Sequence, residues 1–316
     1  MNKKILLILF FLGISIFVYT SYINREKNQE SEKLGKNISK DDYMYKEDLL
    51  DLGYNIEEID IIQSKINNSN VKDYLLNKKY DNLTKFISCP YFDAKNIERY
   101  ENYYNSNSNY SFDEIVLYVN IGLDYEFYTN INELEKYKEV TTLVNKYNKL
   151  PDDYSFDDLI TLEKPYSNDG TKQIRKVAYD SLIKMIDDAK KENINLFVVS
   201  GYRTNEKQES LFNNSVNKNG LNHALLYSAK KGHSEHQLGL AVDLVSVENS
   251  FENTKEYKWL KQNAYKYGFI ERYPKGKEFI TGYGYEPWHY RYLGIEISTK
   301  IYQENITYEE YVVKYL

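Results

Sequence analysis

Beyond residue 172 the apolar residues come in segments of two lengths, and their order restricts the fold. A helical period runs over 172–191, with Ile174, Val177, Ala178, Leu182, Met185, Ile186 and Ala189 on one face. The run from Ile194 to Val199 is short and apolar, as a buried strand is, and leads into Ser200-Gly201-Tyr202-Arg203 and a polar helix from about Asn205. Leu240–Val245 reads as a second strand. A helix over 254–267 stops at Gly268, Phe269–Tyr273 makes a third strand, and Tyr290–Leu293 a fourth. Helices and strands mix without the regular rhythm of a parallel βαβ sheet. The prediction is an α+β domain with a small, largely antiparallel sheet and flanking helices.

That domain is expected over 139–316, with Leu143–Lys146 and Leu150–Tyr154 as an extended lead-in, and the 316-residue length leaves room for an accessory region before it. Residues 41–138 read as a small all-helical region. Gly53 is placed to end one helix. Asn55 with Glu58 begins another that carries Ile56, Ile59, Ile62 and Ile66, Asn70 with Asp73 opens a third, and Ser111 with Glu114 forms a capping box before Ile115 and Val119. No cluster of catalytic residue types falls in this region. Residues 23–40 are polar and charged, which suits a tether. Ahead of them, Lys3 and Lys4 precede an uncharged apolar run from Ile5 to about Tyr22, near the roughly 20 residues that cross a bilayer. Its exit, Val18-Tyr19-Thr20-Ser21-Tyr22, makes a poor cleavage site, so 1–22 is expected to stay as a single-pass membrane anchor with the lysines inside. Cleavage would give a secreted protein instead. On either reading the rest of the chain works outside the cytoplasm.

Composition adds exclusions. A net charge of −6 gives no expectation of a nucleic-acid partner. Cys89 is the only cysteine, which precludes an intramolecular disulfide, and in Phe86-Ile87-Ser88-Cys89-Pro90 it is expected as a small core residue. The 34 tyrosines fit the coding bias of an AT-rich genome, with platforms for sugar stacking as the alternative. Oligomeric state is not legible.

All four histidines, His223, His233, His236 and His289, lie in the last third of the chain, which points to a metal. Ser234-Glu235-His236-Gln237-Leu238-Gly239-Leu240-Ala241-Val242-Asp243 sets an imidazole in a loop and a carboxylate on the next strand, with Gly239 and Ala241 small enough for close backbone approach. Glu286-Pro287-Trp288-His289 offers another imidazole and another carboxylate. Two His and one Asp make a three-ligand zinc site with an open position, as catalytic zinc requires. Glu286 is then free to take a proton from water. Pro287 argues against a helix here, and a plain strand would aim 286 and 289 to opposite faces, so a turn at Pro287-Trp288 is expected. His223, on a predicted helix over 221–230, is expected to be structural. His233 and Glu235 should alternate away from His236, the first outside the ligand set or exposed, the second structural or solvated.

Ser-x-His-x-x-Gly-x-Ala-x-Asp followed by Glu-Pro-Trp-His resembles the VanY-type D-alanyl-D-alanine carboxypeptidases, zinc peptidases of the M15 family. The likeness extends to Ser200-Gly201-Tyr202-Arg203-Thr204, Gln208, Tyr267-Gly268-Phe269-Ile270 and Ile280-Thr281-Gly282, and covers about Val140 to Leu293. It implies a hedgehog/DD-peptidase-like fold and one Zn2+ per chain on His236, Asp243 and His289, with Glu286 as general base. It implies Arg203 at the scissile carbonyl or oxyanion, which suits a guanidinium that stays charged. Gln208 and Ser234 match substrate-binding positions, and Trp288 and Tyr290 are expected to shape the pocket or to pack. The substrate implied is a peptidoglycan stem peptide ending in D-Ala, hydrolysed without a covalent acyl-enzyme. An LD-carboxypeptidase acting on tetrapeptide stems and a DD-dipeptidase or endopeptidase are the rival specificities. A non-catalytic cell-wall-binding protein is the rival from another class.

Overall fold

The computed structural model describes residues 40–66 and 72–316. The expected anchor over 1–22, nearly all of the tether and the Asn70 cap lie outside them. Among the described residues no helix is long and apolar enough to cross a membrane. The described residues form two compact units, one made of those up to Ser88 with Asp93–Glu101, the other of Cys89–Phe92 with Asn102–Leu316.

The first unit is helical. Helices α1 (Lys40–Asp51) and α2 (Ile56–Lys65) are separated by Gly53 at φ +92°, a left-handed conformation that favours glycine. The Asn55 side chain accepts from the Glu58 amide at 2.9 Å while the Glu58 carboxylate accepts from the Asn55 amide at 2.8 Å, so the predicted start of α2 is a reciprocal cap. Ile59 and Ile62 are buried and Ile56 is exposed. Two short helices, α3 (Lys72–Leu75) and α4 (Leu83–Phe86), lead to α5 (Ile97–Ser106). Glu101 ties α5 to α4 by accepting from the Asn82 backbone and side-chain amides at 2.6 and 2.9 Å.

The second unit starts with Cys89, half-buried rather than enclosed in a core as expected. Burial, with Asp113 alongside, pushes its thiol up to about 12. Helix α6 (Phe112–Ile121) begins on the Ser111–Glu114 capping box and ends at Gly122, φ +99°. Strands β1 (Asn132–Glu133) and β2 (Asn148–Lys149) form a small parallel pair. β3 (Leu159–Leu162) runs antiparallel to β4 (Lys172–Arg175), which corrects the expectation of one helix from residue 172. Ile174 matches the helical period by coincidence, since it is buried from a strand; Val177, counted on the same face, is 44% exposed. The helix proper, α7, spans Lys176–Lys191 and buries Ala178, Leu182, Met185, Ile186 and Ala189.

The main sheet has four strands in the order β5 (Val198–Ser200), β6 (Ala241–Leu244), β8 (Glu286–Tyr292), β7 (Phe269–Tyr273), all antiparallel. The predicted strand from Ile194 shortens to β5, because Val198 is the first residue to pair with β6. Between β5 and β6 come α8 (Asn205–Asn219, capped by Thr204) and α9 (Leu221–Tyr227). Between β6 and β7 comes α10 (Lys255–Asn263), and α11 (Glu278–Thr281) precedes β8. Helices α12 (Ile295–Glu304) and α13 (Tyr308–Tyr315) close the chain. Val198, Val242, Leu244, Phe269 and Tyr290 join the buried face of α7 and Trp259 and Leu260 of α10 in one core. Each such side chain contributes about 1.5–3 kcal/mol when fully buried. Alternation along β6 and β8 therefore turns Asp243, His289 and Arg291 to the opposite face.

Candidate active site

Asp243 and His289 are direct partners in the β6–β8 ladder, so the sheet register alone brings carboxylate and imidazole together. His236 reaches them from a single 3-10 turn, Glu235–Leu238, which ends at Gly239 with φ +65°. Its Nδ1 lies 2.9 Å from the Gly201 carbonyl oxygen. A carbonyl only accepts, so Nδ1 carries the proton and Nε2 presents a lone pair. A side chain at Gly201 is excluded because a Cβ would stand 2.4 Å from the Gln173 carbonyl oxygen, against which the β5 end packs.

His236 Nε2 is 3.3 Å from Asp243 Oδ2, and His289 Nδ1 is 3.1 Å from Asp243 Oδ1. The three residues are buried and their donor atoms lie within 4.8 Å of one another. Ligands bound tetrahedrally at 2.0–2.1 Å stand about 3.3 Å apart, so this N2O set fits zinc. Electrostatics agree. Burial and the nearby Arg203 charge lower His236 to about 4, leaving it a neutral ligand. Burial also acts against the charged form of His289, but the Asp243 and Glu235 carboxylates outweigh it and raise the group to about 9. Asp243 is opposed by burial too, yet the two imidazoles hold it well below the usual carboxylate range. The same acidic surround favours a divalent cation.

Glu286 is held close without belonging to this set, its Oε2 3.8 Å from His289 Nδ1. The expected turn at Pro287-Trp288 is absent; β8 is one continuous strand. A bulge does the work instead. Tyr290 pairs with Glu271 and Glu286 with Tyr273, so β8 spends four residues where β7 spends two. The extra residues re-aim the strand, and Glu286 and His289 reach the same side. Burial pushes the Glu286 carboxyl up to about 7, a value suited to exchanging protons near neutrality.

Arg203 follows β5 and is clamped. Nη2 donates to Ser200 Oγ at 2.8 Å and to Asp243 Oδ2 at 3.1 Å, and Nη1 donates to Gln208 Oε1 at 3.2 Å. An open cleft of about 810 Å³ is lined by Arg203, Ser234, Glu286 and Trp288 together with the three donors. Gln208 is elsewhere. Its side chain is buried behind Arg203, and its amide nitrogen donates to the Ala229 carbonyl at 2.7 Å. Tyr290 points into the core, away from the cleft. His223 lines the cleft wall against Tyr227 and is not one of the clustered donors. His233 is buried, not exposed, with Nδ1 2.8 Å from the Asn145 carbonyl and Tyr128 edge-on at 5.0 Å.

Glu235 is not solvated. It is fully buried with Arg272 and Arg291 at 2.8 and 2.9 Å, and Arg272 also pairs with Glu309. Sequence reasoning passed over this network. Its one signal was arginine standing at an inward position in two otherwise buried strands, Phe269–Tyr273 and Glu286–Tyr292.

Comparison with known proteins agrees with this geometry. The family profile described as VanY, D-alanyl-D-alanine carboxypeptidase, matches residues 171–295. A Bacillus subtilis (strain 168) protein described as putative carboxypeptidase YodJ is 43% identical over 193 residues, covering 58% of this chain and 71% of that one. The solved structure of the LdcB LD-carboxypeptidase, described as revealing the basis of peptidoglycan recognition, has a TM-score of 0.55 and 40% identity, over 59% of this chain and 91% of that one. VanYB in complex with D-alanine-D-alanine has a TM-score of 0.50 and 36% identity, over 56% of this chain and 99% of that one.

Proposed function

The chain belongs to the VanY family of D-alanyl-D-alanine carboxypeptidases, and on that premise we propose that it uses one zinc ion to remove the terminal D-alanine from peptidoglycan stem peptides. The observation that carries this reading is a buried carboxyl, Glu286, 3.8 Å from His289 Nδ1 and lining the same cleft as a His2Asp donor set. His236, Asp243 and His289 hold the metal. When bound, zinc supplies Lewis-acid chemistry, polarising the scissile carbonyl and acidifying a water. Glu286 takes the proton as water attacks the penultimate carbonyl and returns it to the departing amine. Arg203 steadies the developing oxyanion or the terminal carboxylate, and Gln208 acts through Arg203, whose fork it holds. Ser234 and Trp288 contact the peptide. No side chain forms a bond to the substrate, so β-lactams should not acylate the protein.

The likeness to an LD-carboxypeptidase supports a second reading, in which the substrate is the tetrapeptide stem. Incubating the protein and zinc with defined muropeptides distinguishes the two. Pentapeptide stems should lose one D-alanine, a mass change read directly by mass spectrometry. Cleavage of tetrapeptide stems alone establishes the second reading, and cleavage of neither removes both.

We also propose that the Ile5–Tyr22 run anchors the protein and places its enzymatic unit outside the cytoplasm. The protein should then stay with membranes through carbonate washing and keep Lys3 and Lys4. A shortened soluble form in the medium would show a cleaved leader.

A further inference from the structure

Glu235 lies between the donor set and a buried arginine pair, and the roles above give it no part. Both arginines approach the same oxygen, Oε1, Arg272 through Nε at 2.8 Å and Arg291 through Nη1 at 2.9 Å. The other oxygen, Oε2, is buried and has no hydrogen-bond partner. It faces His289 Nε2 at 3.7 Å, a ring nitrogen that is likewise buried and unpartnered. The opposite ring nitrogen, Nδ1, already points at Asp243 and Glu286. A buried donor and a buried acceptor each cost free energy when left unmade, and a shift of less than an ångström joins these two.

The surrounding frame fixes where Oε2 points. Arg272 Nη1 donates to Glu309 Oε2 at 2.9 Å, and Arg291 Nη2 donates to the carbonyls of Val140 and Thr142 at 2.7 and 2.9 Å. Two guanidiniums anchored at their far ends thus hold one carboxylate oxygen and leave the second for His289. We infer that Glu235 is a positioning residue for the metal, holding His289 with its proton on Nε2 so that the Nδ1 lone pair meets the ion. A carboxylate accepts only, so its partner nitrogen must be the protonated one, and the bond makes the ring a better donor to metal. This inference rests on the zinc reading of the site. The competing role is that of a counter-ion for two arginines, for which one oxygen suffices.

The test uses the full-length protein with zinc as the probe, measuring zinc dissociation by chelator competition and the His289 ring nitrogens by 15N NMR. Wild type loaded with zinc should show metal on Nδ1 and a slowly exchanging, hydrogen-bonded Nε2–H. Glu235→Asp keeps the charge beside the arginines but withdraws the oxygen from His289. Its zinc affinity should fall by about 10–100-fold, the usual cost of losing such a partner, and the protected Nε2–H should disappear. Glu309→Gln disturbs the same arginine network from its far side; it should lose thermal stability yet bind zinc as wild type does. Unchanged affinity in Glu235→Asp, or an equal loss in Glu309→Gln, overturns the inference. If Glu235→Asp does not fold, the wild-type spectrum still decides, since zinc on Nε2 or a freely exchanging Nε2–H refutes it. A wild type that binds no zinc at all overturns the zinc reading itself, and this inference with it.

Discussion

Alanine at His236 or at His289 is expected to remove zinc and turnover together. Each imidazole supplies one of three donors in a site where the remaining charge is a single carboxylate, already shared with Arg203 at 3.1 Å. With one imidazole gone, two donors remain, too few for the three protein ligands that catalytic zinc keeps. Zinc should drop from about one per chain to near none after dialysis, and turnover should fall by more than the 10²–10⁴-fold that loss of proton transfer alone would cost. His233→Ala is the control. Its ring is three residues from His236, but it is tied to the Asn145 carbonyl and packed on Tyr128, so the variant should keep its metal. Metal analysis and muropeptide turnover on the same preparations decide it. Full zinc occupancy in a His236→Ala, His289→Ala double variant would sink the donor assignment.

What could be read from the sequence, and what could not, divides by range. Caps and some strand spans are local. Asn55 with Glu58, Ser111 with Glu114 and Phe269–Tyr273 lie where the sequence puts them, because each depends on residues within a few positions. Lys172–Arg175 reads as helix but is a strand, because its partner, Leu159–Leu162, lies ten or more residues upstream and periodicity cannot see it. The three donors and Glu286 were legible as a set because each half of the motif, 234–243 and 286–289, is compact in the sequence. The device that unites Glu286 with His289 was not, since a bulge is a mismatch between two strands and neither strand shows it alone. Gln208 and Glu235 are the sharper lessons. One matches a substrate-binding position and supports Arg203 from behind; the other reads as either structural or solvated, and it is structural, buried on two arginines. Burial of a charged side chain depends on partners far along the chain, Glu309 among them, so residue type and spacing leave it open.

Glu286→Gln separates chemistry from metal binding, and it should keep zinc while losing rate. The carboxyl sits 3.8 Å from His289 Nδ1 and outside the three-donor set, so exchanging an oxygen for an amide nitrogen of like size leaves the ligands untouched. The amide cannot accept a proton from water or hand one to the departing amine. Turnover should fall by about 10²–10⁴-fold or more, because one residue serves both transfers. The pH profile supplies a second readout. Burial places the Glu286 carboxyl at about 7, and only its ionised form is a base, so wild-type kcat/KM should rise with pH through an acid limb near that value. A bound cation favours the charged form and moves the limb lower, never higher. In Glu286→Gln that limb should vanish from whatever activity remains. Zinc content measured beside muropeptide kinetics across pH completes the test. Loss of zinc in the variant would make Glu286 a ligand, and full activity would place the base elsewhere in the cleft.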